Sequence, residues 1–74
     1  MEEIQTGELV DKILKDKKIT RYKLAVDSKR PYISICNSIK NNTFQTSKLI
    51  GVLNTLEADL IVSHNGIEYK LINK

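Results

Sequence analysis

"TRYKLAVDSKRPYISICNSIKNN", residues 20–42, contains two short amphipathic segments separated by a basic turn, and the fold depends on how they are read. Thr20 suits an N-cap, with Ile19 and Leu24 in the N′ and N4 positions of a hydrophobic staple, so a helix starts here. It has barely two turns before Ser28 and the "KRP" segment. Pro31 then pushes Arg30 towards extended geometry and fits the first turn of a new helix. From Pro31 to Lys40, the residues Tyr32, Ile35, Cys36 and Ile39 fall at i, i+3, i+4 and i+7 and define an apolar face. Ser34, Asn37, Ser38 and Asn41 lie opposite, and Ile33 sits between the two faces. Asn41 and Asn42 provide a stop, because asparagine tolerates the left-handed conformation common at C′.

Upstream, residues 6–18 carry Leu9, Val10, Ile13 and Leu14 on one side, with Thr6 as the expected N-cap. Glu8–Lys12 and Asp11–Lys15 are i,i+4 pairs in the favourable order, worth roughly 0.2–0.5 kcal/mol each. Downstream, residues 43–58 are expected to form a fourth helix starting at Thr43, with Phe44, Leu49, Ile50, Leu53 and Leu56 inward and Gly51 allowing close packing. The period then changes. Residues 59–72 place Asn65-Gly66 between two β-rich runs, a strong signal for a hairpin with a type I′ turn. A two-residue loop pairs His64 with Ile67, Val62 with Tyr69 and Leu60 with Leu71 on one sheet face. Such a hairpin is marginal alone and needs the helices, the N-terminal segment or a second copy to pack against. The expected fold is therefore one mostly α domain spanning residues 1–74, four helices followed by a C-terminal β-hairpin.

With 74 residues the chain buries only about 60% of its unfolded surface, so the core is thin. Hydrophobic content of 41% beside 28% charged residues is that of a globular chain rather than a disordered one. The acidic N-terminus lacks a long apolar run, which argues against a signal peptide or membrane span. A lone cysteine, Cys36, suits a reducing compartment, and a cytoplasmic location is expected. Cys36 reads as a small core residue and His64 as structural or solvated, since neither has the companions that a metal site or catalytic set needs. No cofactor and no enzymatic activity are expected.

Charge is uneven along the chain. Residues 17–48 hold eight cations against Asp27 alone, a local net of +7 that leaves −4 for the rest of a chain totalling +3. Such a cationic centre fits a polyanion-binding face, because lysine and arginine near phosphates release condensed counterions. The plainer alternative is a solvated lysine-rich surface.

The segments "TRYKLA", "RPYIS", "IKNN" and "SKLIGVLNTLEADL" give residues 6–60 a resemblance to the Xre/Cro-type helix-turn-helix repressors. That resemblance implies a bundle of the four- to five-helix type, Leu24-Ala25 packing the second helix on the third, and a third helix that enters the major groove of double-stranded DNA. It also implies a small transcriptional regulator acting on a pseudo-palindromic operator as a homodimer. Dimerisation falls to the last helix or to the hairpin residues Leu60, Val62, Tyr69 and Leu71. Lys29, Arg30, Tyr32, Ser34, Asn37 and Ser38 become the base-reading candidates. Arg21, Lys23, Lys40, Asn41, Asn42 and Thr43 become the phosphate-contact candidates, helped by the N-terminus of the next helix. The chain departs from the pattern in two respects: Arg21 stands where many relatives carry a glutamine, and, counting from Leu24-Ala25, the usual turn glycine falls on Lys29 and the apolar position after it on Arg30. Two registers of the third helix, two residues apart, therefore stay open. A second function class is also open, because the exposed pair Tyr32 and Ile33 would equally suit the pocket of a protein partner such as a toxin or a host protein.

Overall fold

The computed structural model describes residues 2–73 and contains four helices followed by a two-stranded antiparallel hairpin. The helices are α1 Thr6–Lys17, α2 Arg21–Ser28, α3 Tyr32–Asn41 and α4 Thr46–Thr55; the strands are β1 Leu60–His64 and β2 Ile67–Leu71. α3 packs on α1 and α2, and α2 packs on α4. The shared core takes Val10 and Leu14 from α1, Leu24 and Ala25 from α2, Ile35 and Ile39 from α3, and Leu49, Val52 and Leu53 from α4. Phe44 and Leu56 close it from either end of α4.

The chain leaves all four helices the same way, through a residue with positive φ: Lys18 (56°), Lys29 (58°), Asn42 (54°) and Glu57 (58°). In each case the next amide reaches back five residues. Ile19 donates to Leu14 at 2.9 Å, Arg30 to Ala25 at 2.9 Å, Thr43 to Ser38 at 3.2 Å and Ala58 to Leu53 at 2.8 Å. This tight reversal satisfies carbonyls that a helix end otherwise orphans, and it needs the left-handed region that glycine adopts most easily. Lys29 thus holds the turn position counted from Leu24-Ala25, and α3 starts at Tyr32 with Pro31 as its N-cap. Lys18→Gly and Lys29→Gly are each expected to raise stability by about 0.5–1 kcal/mol, because lysine has to strain where glycine does not. Urea denaturation would show this as a higher midpoint at unchanged slope, and a lower midpoint for both variants would refute it.

Two helix starts differ from expectation. α4 begins at Thr46 rather than Thr43; residues 43–45 lie outside the helix, Gln45 is extended, and Phe44 is buried in the core. α1 is preceded by Gln5 in extended conformation, with no cap from its own side chain. Thr6, the expected cap, leaves its hydroxyl buried and without a partner. Asn42, at the end of α3, supplies the cap instead: its Oδ1 accepts from the amides of Gly7 at 2.9 Å and Glu8 at 3.3 Å, while its Nδ2 donates to Gln5 Oε1 at 3.0 Å. Burial of Thr6 draws its hydroxyl away, and a helix N-terminus must find an acceptor somewhere. At α2, Thr20 Oγ1 does accept from the Lys23 amide at 3.0 Å.

The hairpin has the expected register, Leu60 opposite Leu71, Val62 opposite Tyr69 and His64 opposite Ile67, around Asn65 and Gly66 with φ of 53° and 77°. Only its base joins the helices. Leu60 packs on the core and Asn73 donates to the Ser47 carbonyl at 2.7 Å. Val62, Ile67 and Tyr69 stay about half exposed.

Candidate functional site

The outward surface of α3 differs from the one its sequence suggests. Ile35, Ser38 and Ile39 are buried, so the inward face keeps Ile35 and Ile39 of the expected stripe but is rotated away from Tyr32 towards Ser38. Tyr32, placed on the apolar face by periodicity, is 48% exposed, and Ile33 is 71% exposed. The open strip is Ile33, Asn37, Lys40 and Asn41, with Tyr32 on its flank.

Lys48 accounts for the shift. From the first turn of α4 its Nζ donates to Ser34 Oγ and Ser38 Oγ, both at 2.7 Å, with the Ser34 carbonyl at 3.4 Å, and it lies 5.5 Å from the centre of the Phe44 ring. Ser34 and Ser38 thus face α4 rather than solvent, a correction to their expected outward placement. Two small hydroxyls four residues apart make room for one ammonium, and the buried Ser38 gains the partner that burial demands. Burial, and then the nearby Arg30 charge, hold the Lys48 pKa below the ordinary lysine value. Lys48 was not among the sequence candidates. Its signal was present: it stands four residues after Phe44 and four before Val52, inside the apolar stripe of α4.

The cations form two sets. Arg21 pairs with Asp11 on α1 at 3.2 Å, and Lys15 holds the same carboxylate at 3.1 Å. The hydrogen bond from Lys15, against a smaller opposing effect of burial and with help from Arg21, lowers the Asp11 pKa below its ordinary value. Lys23 pairs with Asp27 at 3.2 Å in an exposed i,i+4 contact. Lys29, Arg30 and Lys40, by contrast, have no carboxylate partner among the described residues. Lys29 and Lys40 are exposed. Arg30 is half-buried and lies back over α4, its Nη2 3.2 Å from where a Cβ on Gly51 would stand.

The remaining candidates separate in the same manner. Asn37 and Asn41 are exposed on the open strip. Asn42 faces α1, where its Oδ1 accepts from the Gly7 and Glu8 amides and its Nδ2 donates to Gln5, a correction to its placement as a phosphate contact; Thr43 is exposed just beyond it. Tyr22 of α2 meets Tyr32 with ring centroids 6.2 Å apart, so an aromatic ledge adjoins Ile33. In the hairpin, Leu60 and Leu71 are half-buried, while Val62 and Tyr69 are open. Cys36 is half-buried, and His64 is exposed with Nε2 3.3 Å from Asn65 Nδ2.

Among the described residues, no three His, Cys, Asp or Glu side chains converge as a metal ion would require. An open depression of about 430 Å³ on α1 is lined by Ile4, Glu8, Asp11, Lys12, Lys15 and Asp16, a mixed-charge set far from α3 in sequence. No helix of the described chain is long and apolar enough to cross a membrane. Comparison with family models, with curated proteins and with solved structures returns no match to this chain.

Proposed function

We propose that the chain is a sequence-specific double-stranded DNA-binding protein of the Xre/Cro helix-turn-helix type, a small transcriptional regulator that inserts α3 into the major groove. The observation that carries this reading is the open strip of α3, Ile33, Asn37, Lys40 and Asn41, together with exposed Lys29 just before the helix; neither lysine has a carboxylate partner among the described residues. Asn37 is the direct reader, since its amide can pair bidentately with adenine. Lys29, Lys40 and Thr43 meet the phosphates, while Lys48 fixes the rotation of α3 through Ser34 and Ser38. Arg21 and Lys23 contribute only by exchanging their carboxylate partners for phosphate.

The regulator acts as a homodimer joined through the hairpin. α4 spends its apolar residues on the monomer core, whereas Val62, Ile67 and Tyr69 remain available. Two copies of α3 about 34 Å apart then meet successive major grooves. The cytoplasm, where its operator lies, is the compartment this reading requires.

Fluorescence anisotropy with mixed genomic duplexes at two salt concentrations tests the reading. Binding at low salt with a steep negative salt slope is the expected result, and absence of binding at low salt refutes it. Selection from a random duplex pool should then recover a pseudo-palindrome. The exposed apolar group Tyr22, Val26, Tyr32 and Ile33 favours one alternative, a protein-interaction module docking on a toxin or host protein.

A further inference from the structure

Resting on the DNA-binding reading, we infer that Ile33 is a specificity-determining residue that reads the C5-methyl groups of thymine. Ile33 stands in the first turn of α3 with 71% of its surface exposed, whereas Ile35, two residues on and on the opposite side of the helix, is completely buried. A large β-branched side chain held this far into water gains nothing for the monomer. Its surroundings narrow the choice of occupant. Tyr32 and Tyr22 form an apolar shelf on one side, at 6.2 Å between ring centroids, and Asn37 lies one turn along the same strip. The exposed cations at the two ends of α3, Lys29 before it and Lys40 in its last turn, lack carboxylate partners among the described residues, while Asp27 is paired with Lys23.

A matching ligand therefore presents small apolar groups inside an anionic frame. The major groove does this wherever thymine occurs, because the methyl group projects from the groove floor between two phosphate strands. A helix with its side chains is about 10–12 Å across, which matches the groove's roughly 12 Å width, so the first turns of α3 can reach the groove floor. In that position Ile33 contacts methyl groups, and Asn37 reads a base one to two steps away. Specificity at the Ile33 position is thus for thymine over cytosine, by an apolar contact rather than a hydrogen bond.

The test uses a duplex recovered by selection from a random pool, resynthesised with deoxyuridine at one thymine at a time, which deletes only the methyl group. Wild-type affinity is expected to fall about three- to fivefold at one or two thymines in each half-site, the size expected for one buried methyl. Ile33→Ala is expected to bind the unmodified duplex correspondingly more weakly and to show no further loss with uracil at those positions. Ile33→Val, which keeps the β-branch, is expected to retain the uracil effect. Because Ile33 is exposed, both variants should keep the wild-type thermal midpoint, and this is checked alongside. If no thymine is sensitive, or if Ile33→Ala remains as sensitive as wild type, the inference fails while DNA binding stands. If no duplex is bound at low salt, the DNA reading falls with it, and the patch belongs to a protein partner.

Discussion

Gly7→Ala is expected to destabilise the protein by about 3 kcal/mol or more, although alanine is the better helix former by roughly 1 kcal/mol at an exposed position. A Cβ at Gly7 would stand inside the contact radius of the Ile39 backbone carbonyl, with Asn42 Oδ1 2.7 Å away. Neither group can give way cheaply. The carbonyl belongs to α3 and cannot rotate independently, and Asn42 is held by the amides of Gly7 and Glu8 and by Gln5. To admit the methyl group, α1 must move off α3, which opens the core around Val10 and Ile39 and strips the cap from α1. A domain of 74 residues has roughly 4–11 kcal/mol in total, so the loss is a large share of it. Gly51→Ala is the contrast, because its Cβ would meet only the mobile end of Arg30, and there alanine is expected to gain up to about 1 kcal/mol. Urea unfolding of both variants measures the difference. A Gly7→Ala protein within 0.5 kcal/mol of wild type would show that α1 and α3 are not locked at this point.

The same contact marks the limit of what could be read along the chain. Local signals were sufficient where one residue type answers one local need: Asn65-Gly66 set the hairpin register, Thr20 capped α2, and Asn42 ended α3. Signals failed where a group's partner lies far off in sequence. Asn42 caps a helix that starts 36 residues earlier, and no local rule relates it to Gly7. The face of α3 was misjudged for a related reason. Periodicity assigns serine to water, but Lys48 provides Ser34 and Ser38 with a partner inside the protein, and the helix turns to meet it. The open strip then passes to Ile33 and Asn37. Arg30 shows the converse, a cation expected to project outward whose guanidinium instead lies against Gly51 of α4. Of the candidate site, therefore, Lys29, Asn37, Lys40, Asn41 and Thr43 stand where their spacing put them, exposed around the end and outer side of α3.

Val62→Asp, or Tyr69→Asp on the facing strand, is expected to convert a dimer into folded monomers and to weaken binding to a full pseudo-palindromic duplex by about 100-fold or more. The two residues oppose each other across β1 and β2, 44% and 49% exposed. They sit beyond the part of the hairpin that Leu60 and Asn73 fasten to the helices. A two-stranded ribbon this lightly supported is marginal unless a further surface covers it, and a symmetric partner provides both an apolar face and a strand edge. In that interface an aspartate would be desolvated without a cation, at a cost of several kcal/mol, whereas in the monomer it simply faces water. The loss should therefore appear in association and not in folding. Sedimentation equilibrium reads the first and circular dichroism the second. Under the proposed DNA-binding arrangement a single half-site would be contacted by one α3 alone, so its affinity should be unchanged. The full site loses the second, tethered contact, which is where the hundredfold arises. An aspartate variant that still sediments as a dimer would move the interface away from the hairpin. A wild-type protein that is monomeric while saturating the full duplex would remove the symmetric arrangement altogether.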